Sequence, residues 1–362
     1  MSLRYFSVLA ITLLLTACAD QPRSVKPVVA TPHAEVPKTA SVVASDEAAK
    51  TQASIADESP KPFDLTRPDI VAFIDSLSSK HAIPAEELRA LLSQGMFQPK
   101  IIVAMTRPAE RVLAWWEYKD RLVSNERVAR GREFWNTHRD RLSTIEQKTG
   151  VDAAIIVAII GVETNYGRNM GSWRVLDALM TLGFDYPRRA EFFRSELEHF
   201  ILLAREESWD PLTIRGSYAG AMGAPQFMPS SYRKYAVDGD GDGRRDLFGS
   251  KKDAFASIAN YFNGFGWQVG KPVFVRAAAA PGAAPYKPEN WEAKFTLSEL
   301  ASRGYAPVRP VQNLPSTLLT LEGVQGTEHW IGFKNFWVIT RYNRSPMYAM
   351  AVWQLSQEIA QR

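Results

Sequence analysis

The residue in this chain best placed to do chemistry is a carboxylate at the end of an apolar helix. Ala153 to Val162 is almost wholly apolar, and Asp152 stands before it at an N-cap position. A helix apolar on every side is buried in a domain centre, and ten residues are too few for a membrane span. The run closes as Gly161-Val162-Glu163-Thr164-Asn165-Tyr166-Gly167. Glu163 lies one turn beyond Ile159 and Ile160 and shares their face. Desolvation and the negative end of the helix both disfavour its charged form. A carboxylic acid still protonated near neutral pH can protonate a leaving oxygen, as a glycosidase acid does. The competing reading is a structural ion pair with Arg168 or Arg174.

Ordinary glycosidases need two carboxylates. No second acid stands in a comparable motif, since Asp177 and Asp185 fall in helix and turn contexts. A cluster further on suits metal binding instead. Asp238-Gly239-Asp240-Gly241-Asp242-Gly243 matches the first six positions of an EF-hand loop, with acids at 1, 3 and 5 and Gly at 6. Arg244 offers its carbonyl at position 7 and Asp246 falls at 9. Position 12 is Gly249 rather than Glu, a departure from the standard loop. Three carboxylates within five residues repel unless a cation neutralises them, and hard oxygen ligands favour Ca²⁺. The alternative is a hydrated Gly/Asp turn.

The elements that must position these groups are mostly helical. Ile70, Val71, Ile74 and Leu77 recur at helical spacing, and Pro84-Ala85-Glu86-Glu87 opens a second helix that Gly95 closes. An Arg-rich stretch from about Glu110 to Lys148 reads as one long helical region. Arg174–Leu182, Pro187–Glu207, Pro225–Tyr235 and Asp253–Asn263 are further helix candidates, and Gly216–Gly223 is a turn region. From Pro272 the texture changes. Val273–Val275, Leu318–Leu321 and Phe336–Thr340 read as short strands among Gly and Pro. Ser345-Pro346 caps a final helix carrying Met347 and Met350.

Three segments occur in one order: Glu163-Thr164-Asn165-Tyr166-Gly167, then Gly216-Ser217-Tyr218-Ala219-Gly220-Ala221-Met222-Gly223-Ala224-Pro225-Gln226-Phe227-Met228-Pro229-Ser230-Ser231, then Thr340-Arg341-Tyr342-Asn343. Together they resemble the lytic murein transglycosylase B family. The resemblance implies a mainly α protein, α+β overall. It has a lysozyme-like catalytic core over 151–269 and an added helical region over 63–150. A small β-rich element covers 270–340, and a C-terminal helix over 341–362 packs on the core. It also implies non-hydrolytic cleavage of peptidoglycan glycan strands with Glu163 as sole acid and base. Ser217 and Gln226 would contact substrate near the cleaved bond. Tyr342 and Asn343 would line glycan subsites, and Tyr261 and Tyr118 would be sugar platforms. Arg188 and Arg189 would face acidic parts of the polymer. Asp253 would close the calcium loop with Asp238, Asp240, Asp242 and Arg244, giving a structural Ca²⁺ and no organic cofactor. Two other readings are a lysozyme-like hydrolase and a non-catalytic wall-binding lipoprotein.

Composition sets outer bounds. The 362 residues are 46% hydrophobic and 23% charged, which excludes wholesale disorder and a coiled-coil rod. A net charge of +4 is too small to argue for nucleic acid. Residues 1–17 carry Arg4 and a short apolar run suited to a signal peptide. The run ends Leu15-Thr16-Ala17-Cys18, which resembles a bacterial lipobox, and Cys18 is the only cysteine. The expectation is an outer-membrane lipoprotein facing the periplasm, lipidated at Cys18. Residues 18–62 would form a disordered tether poor in burial-competent side chains. Cell-wall synthesis or division machinery is the further partner this location implies.

Overall fold

Glu163 sits at the end of a buried helix against which four others pack. The computed structural model describes residues 59–106 and 113–361. The expected signal peptide, Cys18 and nearly all of the tether lie outside the described residues.

In chain order the described helices are α1 (Pro68–His81), α2 (Ala85–Leu92), α3 (Pro99–Thr106), α4 (Trp115–Leu122), α5 (Asn125–Thr137), α6 (Arg139–Thr149) and α7 (Ala153–Thr164). There follow α8 (Val175–Asp185), a 3₁₀ turn at Pro187–Arg189, α9 (Ala190–Glu206), α10 (Pro229–Tyr235) and α11 (Lys251–Gly264). The last three are α12 (Leu297–Ser302), α13 (Lys334–Tyr342) and α14 (Pro346–Ala360). The protein is mainly α with small antiparallel sheets, as the resemblance implies.

Ala153 through Gly161 of α7 are all buried. Helices α5, α6, α11 and α14 pack on it. Asp152 precedes it as expected, but its side chain does not cap. Glu146 Oε1 instead accepts the Ala153 N–H at 3.0 Å. The described part of the Arg-rich region is three helices, not one. Ser124 Oγ accepts from Arg127 N and opens α5, and His138 separates α5 from α6.

Two two-stranded ladders pin loops to the helices. β1 (Lys61–Pro62) pairs β2 (Met96–Phe97), and β3 (Trp173–Arg174) pairs β4 (Arg215–Gly216), both antiparallel. The larger sheet lies in the 270–340 region. Its strands are β5 (Phe274–Ala279), β6 (Tyr305–Pro307), β7 (Thr317–Gly323) and β8 (Gly326–Gly332), in antiparallel order β6-β5-β8-β7. The strands expected around 274 and 318 are present. They enclose a small core of Val275, Leu318, Ile331 and Phe333.

The strand expected at Phe336–Thr340 is instead the middle of α13. Its bulky run looks like a strand, but docking overrides propensity. Phe336, Val338 and Ile339 are buried together. Asn335 fixes the start of the helix: its Oδ1 accepts from Gln268 N, and its Nδ2 donates to the Gln268 and Lys271 carbonyls.

Candidate active site

The chain leaves α7 through a left-handed turn. Asn165 and Tyr166 have φ of 49° and 63°, and their N–H groups close onto the Gly161 and Ile160 carbonyls. Tyr166 folds back across the helix, and its hydroxyl donates to the Arg127 carbonyl at 2.8 Å. The ring lies so close that a Cβ at Gly161 would be 2.7 Å from it, so only glycine fits there. Arg127 also donates to the Gly161 carbonyl. Helix α5 thereby clamps the turn that presents Glu163.

Glu163 is partly exposed, yet burial pushes its carboxyl up to about 7. One opposing contact is the Tyr348 hydroxyl, which donates to Glu163 Oε1 at 2.5 Å and favours the ionised form. Tyr348 is buried on α14, and both burial and the neighbouring Glu163 raise its own pKa. It therefore stays a donor. Among the described residues no ion pair satisfies the acid. Arg174 is committed to Asp177 at 2.7 Å. Asp177 also accepts from Met96 N and Gln98 Nε2, and Asp185 accepts from Arg67. Neither is free to act as a second acid.

The Gly/Ala-rich segment forms the facing loop. Thr164 Oγ1 donates to the Ala224 carbonyl at 3.0 Å, tying that loop to the residue after Glu163. Gly223 has φ +71° and packs on the Leu247 backbone. Gln226 also has positive φ, 53°, and its Nε2 donates to the Met170 and Gly223 carbonyls. Ser217 Oγ accepts from the Ala219 and Ala221 N–H groups, which leaves its own proton to donate. The next turn is held by Glu196, which accepts from the Ser230 N–H and Oγ.

Tyr342 and Asn343 stand at the C-terminal end of α13. The Tyr342 hydroxyl donates to the Pro225 carbonyl, and the nearby Glu163 helps raise its pKa. Asn343 Oδ1 accepts from Ser345 N, joining α13 to α14. Tyr261 is buried in an aromatic cluster with Phe227, Tyr235 and Tyr342, and its hydroxyl donates to the Arg341 carbonyl. Tyr118 is buried beside Trp115 and close enough to Tyr348 to affect its ionisation. Both rings are buried in the packing around the site. Arg188 is exposed on the 3₁₀ turn. Arg189 lies over the Phe192 ring at 4.2 Å, and Arg344 is near enough to lower its pKa.

A second acidic site lies apart in sequence. Carboxylate oxygens of Asp238, Asp240 and Asp253 converge within 4.8 Å of one another. Asp253 is buried, and its two oxygens accept from the Gly239 and Asp246 N–H groups. Asp238 accepts from Gly241, Asp242 and Gly243 N–H groups, which hold its carboxyl below the usual range. Asp242 is engaged with the Arg244 N–H, and Asp246 with those of Phe248 and Gly249. The convergent all-oxygen set suits a hard divalent cation.

Residues 66–357 match the family model described as the transglycosylase SLT domain. The chain belongs to this family. It is 45% identical over 303 residues to membrane-bound lytic murein transglycosylase B of Escherichia coli, covering 81% of this chain and 83% of that one. It resembles the E. coli lytic transglycosylase Slt35 in complex with calcium, with a TM-score of 0.75 and 44% identity, covering 83% of this chain and 95% of that one. It also resembles SltB3 of Pseudomonas aeruginosa in complex with NAG-anhNAM-pentapeptide, with a TM-score of 0.69 and 30% identity, covering 80% and 78%.

Within this SLT-family chain, Tyr348 is the functional residue that sequence reasoning missed. Its only local signal is a tyrosine among the apolar positions of the final helix. Its partner lies 185 residues away, so only tertiary packing joins them.

Proposed function

We infer that this chain is a lytic transglycosylase that cuts the β-1,4 bond between N-acetylmuramic acid and N-acetylglucosamine with Glu163 as its single acid and base. The observation that carries the reading is a carboxyl at the end of a buried helix, bonded by one phenol and, among the described residues, held in no ion pair, whose burial pushes it up to about 7. Glu163 donates its proton to the bridging O4 as the C1–O4 bond breaks. The substrate's own N-acetyl oxygen stabilises the positive charge at C1, a recognised substitute for a second carboxylate. The freed strand leaves with that proton. Glu163 then takes the proton of the muramyl 6-hydroxyl while O6 bonds to C1. The acid is regenerated, a 1,6-anhydro ring forms, and no water is consumed.

Ser217, Gln226, Tyr342 and Asn343 hold the sugars around this bond, with Tyr261 and Tyr118 behind them. Arg188 and Arg189 face the acidic parts of the polymer. Asp238, Asp240 and Asp253 hold Ca²⁺, with Asp242 and the Arg244 carbonyl completing the loop. The ion neutralises the carboxylates and ties the loop to the start of α11. The relative with calcium in its complex supports this assignment. Lipidation at Cys18 anchors the chain to the outer membrane on its periplasmic side. No helix among the described residues is long and apolar enough to cross a membrane.

Digestion of purified peptidoglycan followed by mass spectrometry tests the reaction. The expected products end in 1,6-anhydromuramic acid, lighter by one water than hydrolysis products, and are absent with Glu163→Gln. Reducing ends instead would assign the chain to hydrolysis.

A further inference from the structure

The half-buried side of α13 carries a row of cations that the reaction chemistry above does not use. Lys334, Trp337 and Arg341 follow at intervals of three and four and so share one helix face. Lys334 Nζ lies 3.6 Å from the centre of the Trp337 ring, and the Arg341 guanidinium lies 4.6 Å from it. The indole thus holds two cations side by side. Arg344 follows at the catalytic end of the helix and is close enough to lower the Arg341 pKa. Arg344 likewise acts on Arg189, across the site on the 3₁₀ turn. Lys334 lies near Arg341, Arg341 near Arg344 and Arg344 near Arg189, and each pair opposes the other's charge, on top of the burial that lowers the pKa values of Lys334, Arg341 and Arg189.

Lys334 and Trp337 of this row line a cleft of about 350 Å³ between α13 and the β-rich element. Gln268, Glu292, Lys294, Leu314, Lys334 and Trp337 line it. Glu292 is the carboxylate whose charge reaches both Lys334 and Arg341, and it is paired with Lys294 at 3.0 Å. The Arg341 Nε is buried without a hydrogen-bond partner. Arg341 Nη2 does donate to Thr340 Oγ1 at 3.1 Å, but like charges set side by side still cost free energy in the free protein, and an anion relieves them. Arg344, at one end of the row, follows Asn343, which is proposed to hold the sugars, so the anion that suits the row is one carried by the bound strand.

We propose that Lys334 and Trp337, with the cleft they line and Arg341 beside them on the indole, form a distal subsite for the carboxylate-bearing peptide stems of peptidoglycan. The proposal rests on the transglycosylase reading and adds a stem-recognition element to it. The β-rich element then has a role, since it supplies the second wall of the cleft. Stems project from alternate sugars of a strand, so one bound in the cleft would set which bond reaches Glu163.

Steady-state cleavage of soluble uncrosslinked glycan strands tests this. One set keeps its stems, and the other has them removed by an amidase, which leaves only lactyl carboxylates. The wild type must release anhydro products from both, and failure there would defeat the transglycosylase reading rather than this one. For Lys334→Glu the expected result is about a tenfold higher KM on stem-bearing strands, the size of one charge-assisted contact, with kcat kept. KM on stripped strands stays unchanged, and Lys334→Arg restores the wild-type value. Glu292→Gln, which removes the opposing acid, is expected to lower KM on stem-bearing strands only. Equal effects on both substrates, or none on either, would overturn the proposal.

Discussion

The molecule holds two acidic sites built in opposite ways. Glu163 is a lone carboxyl at the end of a buried helix, with one phenol donor, and burial raises its pKa to about 7. Asp238 belongs to a cluster on an exposed loop and accepts three backbone N–H groups, which hold its carboxyl below the usual range. The same functional group is thus kept as a proton donor in one place and as a permanent anion in the other. Desolvation decides the first and hydrogen bonding the second. A proton-transfer site needs the first environment and a cation site needs the second.

The comparison breaks most visibly if the Glu163 proton is removed. Glu163→Gln is expected to lower kcat by about a thousandfold or more, roughly 4 kcal/mol of barrier, measured as anhydro-product release. The same variant should be the more stable protein at alkaline pH. A carboxyl whose folded pKa exceeds its unfolded value of about 4.5 stabilises the fold least once ionised, so the wild type loses stability as pH rises from 4.5 through 7. Gln carries no such penalty. Denaturant melts at pH 8 should therefore favour Glu163→Gln by up to roughly 3 kcal/mol, and the advantage should vanish near pH 4.

The acidic loop should respond to a cation where Glu163 does not. Calcium at a hundred times its Kd should stabilise the wild type by about 2.7 kcal/mol, read as a rise in Tm that a chelator reverses. Asp253→Asn should abolish that rise while leaving the pH profile of activity in place. The smallest effect sharpens the contrast. Tyr348→Phe removes the contact that favours the ionised form of Glu163. It should move the alkaline limb of the activity profile to higher pH and cost about tenfold in kcat through lost positioning.

Much of this contrast was legible in the sequence because both acidic sites are local. The apolar run before Glu163 announces its burial, and the Asp-Gly alternation announces the loop. The antiparallel sheet was half legible: β5 opens on Phe274-Val275 and β7 carries the apolar Leu318, Leu319 and Leu321, whereas the three-residue β6 has too little pattern to read. Phe336–Thr340 was misread because its bulky residues satisfy both a strand and a buried helix, and Asn335 bonding to Gln268 decides between them. The Tyr348 contact was illegible because it joins the ends of two helices distant in sequence. Tyr261 and Tyr118 carry the same lesson, since their types suit sugar stacking while their burial puts them behind the site.

The central claim is that Glu163 is a carboxylic acid near neutral pH while Asp238 of the loop is an anion. A ¹³C NMR titration of side-chain carboxyls in the whole protein, with Glu163→Gln to assign the resonance, tests it directly. The account predicts a Glu163 midpoint near 7 and an Asp238 midpoint below the ordinary carboxylate range. A Glu163 midpoint near 4.5 would contradict it, because the acid would then reach the substrate already without its proton.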